Sequence, residues 1–112
     1  MGEPEIMQVL EGHACDVMSC DFSGKYLASC SGDKSVRLWE INSDEKFEEV
    51  NFSPLLDHTY GVNCVRFSPF GTLLASCSTD GRTILWNVQV KLILKLLGTY
   101  FLITIEIVES LL

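Results

Sequence analysis

Two sets of side chains in this sequence are of the types that run acyl-transfer chemistry. His58, Ser76 and Asp80 are the residues of a serine hydrolase, and His13, Ser29 and Asp33 repeat them. In such an enzyme the serine oxygen attacks a carbonyl, the imidazole takes its proton, and the carboxylate orients the imidazole. The chemistry also requires donors aimed at the developing oxyanion. Neither serine stands in a Gly-x-Ser-x-Gly turn, the strand-to-helix elbow that exposes a nucleophile. The same triad twice in one small chain suits a building part better than an active site. A hydrolase predicts ester cleavage that Ser76→Ala abolishes.

The thiols invite a second chemistry. His13, Cys15 and Cys20, with Cys30, Cys64 and Cys77, are zinc-ligand types. No Cys-x-x-Cys pair occurs, and Cys15 and Cys20 straddle a loop–strand junction. Cys30 and Cys77 follow Ser29 and Ser76 directly and read as small core residues. The expectation is no metal and no cofactor.

The elements that position these residues repeat as well. Asp33 and Asp80 lie 47 residues apart, as do Trp39 and Trp86, a period typical of repeat architectures. Strands are expected at 6–10, 17–22, 26–31 and 35–40, then at about 62–67, 73–78 and 83–88. Turns fall at Ser31-Gly32-Asp33-Lys34 and Ser78-Thr79-Asp80-Gly81, and the Asp-Gly pair is a strong hairpin signal. The copies differ by two residues in one hairpin, where Phe22-Ser23-Gly24 stands for Phe67-Ser68-Pro69-Phe70-Gly71. Val17 and Phe22 are five apart, as are Val62 and Phe67. That odd separation puts them on opposite faces unless a bulge intervenes.

The chain has 112 residues, a net charge of −7 and five cysteines. That length is one domain. An acidic chain has no electrostatic footprint for nucleic acid or an anionic membrane. Glu40, Asp44, Glu45, Glu48 and Glu49, with only Lys46 against them, read as a solvated linker between the copies. The odd cysteine count and acidic N-terminus point to reduced thiols and a cytoplasmic or nuclear location. Residues 88–97 are expected to begin as the outer strand of the second unit. Beyond them comes an irregular apolar tail, in which Ile103 to Val108 favour a further strand. Its longest uncharged run, Leu96 to Ile105, is too short to span a membrane.

Gly12-His13, Asp33 and Trp39-Glu40, and again His58, Asp80 and Trp86-Asn87, resemble the WD40-repeat family. Each set brackets a Leu-Ala-Ser-x-Ser-x-Asp run. The second copy, His58-Thr59-Tyr60 through Thr79-Asp80-Gly81, is similar to the first repeats of WD-repeat, SAM and U-box domain proteins, though no SAM or U-box segment lies within these 112 residues. The resemblance implies an all-β fold: two four-stranded antiparallel propeller blades, an open, partial β-propeller, with repeats at 6–46 and 55–97 and a non-repeat tail at 98–112. Family propellers usually have seven blades, and two repeats cannot close a ring. The expectation is a fragment of a larger propeller, completed by further blades or self-association and poorly stable by itself.

The resemblance also assigns roles. His13, Ser29, Asp33 and Trp39, and likewise His58, Ser76, Asp80 and Trp86, become structural hydrogen-bond tetrads. Asp bonds His, His bonds Ser, and Ser bonds the indole N–H. A buried Trp N–H does need an acceptor and a buried carboxylate does need donors. Partner-binding candidates on the channel rim are Asp16, Met18 and Gly32 in the first copy and Gly61, Asn63 and Thr79 in the second, with Tyr60 and Arg66 as further contacts. The implied function is a non-catalytic scaffold that binds other proteins. The alternative is the substrate-recognition part of a U-box type ubiquitin ligase.

Overall fold

The computed structural model describes residues 2–88 and the strand Leu92–Leu97. Among these, the chain forms two antiparallel sheets. The first has the order β1 (Val17–Ser23), β2 (Tyr26–Ser31), β3 (Val36–Ile41) and β4 (Phe47–Glu49). The second has the order β5 (Val62–Phe67), β6 (Leu73–Ser78), β7 (Arg82–Asn87) and β8 (Leu92–Leu97). Each is a meander of neighbouring strands, so the fold is the all-β pair of four-stranded blades that the repeats imply. The tail at 98–112 and the strand expected within it lie outside the described residues.

Local pattern explains most of the strands. Leu-Ala-Ser-Cys-Ser recurs in β2 and β6 as the second strand of each sheet, buried at nearly every position. The two tight turns share one backbone form, with Lys34 N–H donating to Ser31 O and Gly81 N–H to Ser78 O. Lys34 and Gly81 both take positive φ, 75° and 84°. Glycine adopts that form without steric cost, and lysine does not.

Two expectations fail. Residues 6–10 form no strand. Gln8 instead grips Phe47 with its side-chain amide, accepting from Phe47 N–H at 2.8 Å and donating to Phe47 O at 2.8 Å. Contact through a side chain starts no backbone ladder. The acidic run between the copies is not all solvated linker either, because β4 is formed from it. Glu49 takes Arg37 Nη1 on both oxygens, at 2.9 and 2.8 Å, and accepts the Ser53 hydroxyl at 2.6 Å. These bonds hold a three-residue strand whose composition disfavours strand.

A bulge does intervene in both copies. The register slips between Val17 and Ser19 and between Val62 and Cys64. The extra residue rotates the strand, so Val62, Val65 and Phe67 all enter the core with Leu74, Ile84 and Trp86. That face of β5 packs on β1 and β2.

Three close approaches pin the sheets along β5. A Cβ on Gly61 would stand 3.2 Å from Gly32 Cα. Midway, Phe67 N–H donates to Asp21 Oδ2 at 2.8 Å. At the far end, the longer β5–β6 hairpin brings Gly71 against the Ser23 hydroxyl. The equivalent face of β1 is open: Val17 is 56% and Phe22 61% exposed.

Candidate functional site

The structure brings His13, Ser29, Asp33 and Trp39 together. Trp39 Nε1 donates to Ser29 Oγ at 3.1 Å, and His13 Nε2 lies 2.8 Å from that oxygen. His13 Nδ1 lies 3.2 Å from Asp33 Oδ2. With the indole as donor, the serine hydroxyl proton goes to Nε2 and the imidazole proton sits on Nδ1, facing the carboxylate. Asp33 also accepts from Ala14 N–H at 2.9 Å, Ser35 N–H at 2.9 Å and the Ser35 hydroxyl at 2.5 Å. Desolvation pushes the Asp33 carboxyl up, but the Ser35 hydroxyl, the Ala14 and Ser35 amides and His13 outweigh it and hold it well below the usual carboxylate range.

The second set is brought together only in part. Trp86 Nε1 donates to Ser76 Oγ at 2.9 Å, and His58 Nε2 lies 2.7 Å from it. Asp80 does not bond His58. It accepts the Ser78 hydroxyl and Arg82 N–H, and Arg82 Nε sits 3.3 Å from its other oxygen. His58 Nδ1 is buried with no hydrogen-bond partner. This corrects the second tetrad. The Ser78 hydroxyl and the guanidinium of Arg82, which stands at the position of Ser35, engage the carboxylate instead, whereas the counterpart Ser31 donates to Cys15 O. Burial, against the charges of Asp80 and Asp57, pushes the His58 imidazole below its usual range.

Neither serine is placed for attack. Ser76 is fully buried and Ser29 nearly so, and each oxygen already serves an indole and an imidazole. Burial, then the neighbouring Cys64, pushes the Cys30 thiol up to about 12. Burial raises Cys77 as well, and its Sγ lies 3.2 Å from Thr83 Oγ1. Such thiols are not thiolates at neutral pH and are poor ligands. Among the described residues no cluster of His, Cys, Asp or Glu is arranged to hold a metal ion. No helix among them is long and apolar enough to cross a membrane.

The rim candidates share one end of the two sheets. Gly32 N–H donates to Asp16 O at 3.4 Å, and Thr79 N–H donates to Gly61 O at 3.0 Å, the same closure in both copies. The Gly61–Gly32 approach joins them into one edge. Asp16, Met18, Gly32, Tyr60, Asn63 and Thr79 are exposed there and Gly61 is half-buried. Met18 and Tyr60 are each more than half exposed.

A family model described as WD domain, G-beta repeat matches residues 4–40 and 50–87. The chain belongs to the WD40-repeat family. It is 49% identical over 82 residues to WD repeat, SAM and U-box domain-containing protein 1 of Gallus gallus, covering 73% of this chain and 17% of that protein. The Homo sapiens protein of the same name is 48% identical over 85 residues, covering 76% and 17%. Protein transport protein SEC13 of Debaryomyces hansenii is 39% identical over 71 residues, covering 62% and 23%. The chain thus spans about a sixth of the length of the first two relatives.

Within the two WD40 repeats, sequence reasoning missed Ser35, Asp21 and Gln8. Ser35 had a signal, since Asp-x-Ser is the spacing at which a carboxylate accepts from the backbone two residues on. Asp21 had none, because its partner Phe67 is 46 residues away.

Proposed function

We propose that the chain is a non-catalytic protein-interaction module, two WD40 blades that work with further blades and present the shared rim to other proteins. The observation that carries this reading is the rim itself. Main-chain bonds and the Gly61–Gly32 contact fix its shape, while Met18 and Tyr60 stand exposed upon it. Rigid apolar and aromatic groups on a polar edge are the usual anchors of protein interfaces. The buried, doubly engaged serines argue against hydrolysis, and the five unpaired thiols favour a reducing, cytoplasmic or nuclear setting.

Likeness to proteins named for a U-box favours a narrower second reading, the substrate-recognition part of a U-box type ubiquitin ligase. Quantitative proximity labelling in cells compares the wild-type chain with Met18→Glu/Tyr60→Ala/Asn63→Lys. Loss of a defined partner set, with far-UV circular dichroism unchanged, supports the module. An identical partner set in both overturns it. Ubiquitylation of those partners, lost with the same variant, selects the second reading.

A further inference from the structure

Each sheet places a cysteine at the same point of its second strand, and only the second sheet sets another thiol opposite it. Cys30 pairs with Ser19, and Cys77 pairs with Cys64. Residues that face each other across a ladder carry their side chains on the same side of the sheet. Cys64 and Cys77 are free thiols, and both are half-buried. The Cys64 thiol lies near enough to be among the groups that push Cys77 up.

Ser68 N–H donates to Leu73 O, which makes that facing pair a hydrogen-bonded one. Such pairs recur every second residue, so Arg66–Ala75 and Cys64–Cys77 are of the same kind. Their Cα atoms stand about 5.5 Å apart, within the range of about 4.4–6.8 Å that a disulfide bridges. The Cβ atoms must still draw together. The bulge between Val62 and Cys64 interrupts the ladder next to the pair and gives β5 room to close. Cys77 Sγ lies 3.2 Å from Thr83 Oγ1, and turning toward Cys64 gives up that contact.

We propose that Cys64 and Cys77 are a reversible redox site, closed to a cross-strand disulfide by a peroxide. The Cys64 sulfur attacks the peroxide, the O–O bond breaks, and sulfenic acid and water form. The Cys77 sulfur then attacks the Cys64 sulfur. The S–O bond breaks, and the hydroxyl leaves with the Cys77 proton as a second water. The two thiols lose two electrons, which the peroxide gains. Burial keeps Cys77 in its thiol form, which leaves Cys64 as the first to react. A bond made by drawing two strands together is strained, so a small thiol reduces it again. The disulfide fastens β5 to β6 next to Asn63 and two residues from Thr79, at the rim. The site stands without the interaction-module reading.

Peptide mapping of the full chain tests it. The folded protein is treated with hydrogen peroxide at neutral pH, its remaining thiols are alkylated, and it is cut with trypsin without reductant. Cleavage after Lys46, Arg66 and Arg82 leaves Cys64 and Cys77 in separate peptides, residues 47–66 and 67–82, with no other cysteine in either. Mass spectrometry should find these two peptides joined in most chains, and reduced glutathione should separate them. The oxidised chain should run as a monomer on a non-reducing gel, with its far-UV circular dichroism unchanged. Cys64→Ser should abolish the joined peptide. Cys77→Ser should leave Cys64 as a sulfenic acid that dimedone labels. Three results would overturn the proposal: no joined peptide in oxidised wild type, Cys77 joined mainly to Cys30 or to a second chain, or joining that occurs only in urea. No partner enters this readout, so its failure leaves the module reading as it was.

Discussion

The two sheets carry nearly the same residues and use them differently. Val17, Cys20 and Phe22 in the first correspond to Val62, Val65 and Phe67 in the second. One set is open to solvent and the other forms the core between the sheets. The side chains are alike, so burial comes from having a neighbour. A repeat unit encodes a face that needs covering, and position in the array decides whether it is covered.

The largest expected effects break that comparison at the aromatic pair. Phe67→Ala empties a packed contact and should destabilise by about 3–5 kcal/mol. Phe22→Ala removes a mostly exposed ring that meets Phe47 with centroids 6.1 Å apart, and should destabilise by about 1 kcal/mol. Urea unfolding of the two variants measures the difference. Equal losses would mean that Phe22 is covered in solution, contrary to the open face.

Next in size are the serines. Ser76→Ala and Ser29→Ala each leave an indole N–H and an imidazole nitrogen without a partner, at roughly 1–3 kcal/mol for each group. Here the sheets should behave alike, because both serines hold the same two neighbours. Thermal melts that spare either variant would deny that serine its bracing role.

What could be read in advance follows from the range of each interaction. The strands, both tight turns and the bulges rest on residues adjacent in sequence, and the period of 47 doubled every signal. Long-range terms were hidden. β4 is acid-rich and poor in strand formers, and exists because Arg37 and Ser53 reach Glu49. Residues 6–10 are a short, mostly apolar run before a turn, but a strand also requires a ladder partner, which one segment does not specify. The second tetrad looked complete because its four residue types are all present. Arg82, two residues past Asp80, was the visible sign that its carboxylate had another partner.

The aspartates separate the sheets again, with smaller effects. Asp33 is fastened by several donors and Asp80 is exposed, so Asp33→Ala should lower the melting midpoint at pH 7 and Asp80→Ala should leave it nearly unchanged. The folded Asp33 carboxyl sits below its unfolded value of about 3.9. Its stabilisation is therefore present above that value and lost as pH falls towards the folded one. Melts between pH 5 and 3 should be shallower in pH for Asp33→Ala than for wild type, and parallel curves would remove Asp33 from the account.

The subtlest test makes the second sheet resemble the first. Arg82→Ser removes the guanidinium that engages Asp80 beside the Ser78 hydroxyl, and puts a hydroxyl where Ser35 stands. Asp80 can then turn to the buried Nδ1 of His58, now without a partner. The exposed Arg82–Asp80 pair contributes little, so the exchange should raise the melting midpoint by a few degrees. It should also alter the response to acid. His58 is held below its unfolded value of about 6.5, so the unfolded chain binds more protons and wild-type stability falls from pH 7 to 5.5. A carboxylate beside Nδ1 raises the folded value and flattens that fall. An unchanged midpoint with an unchanged slope would show that Arg82 is not what separates the two networks.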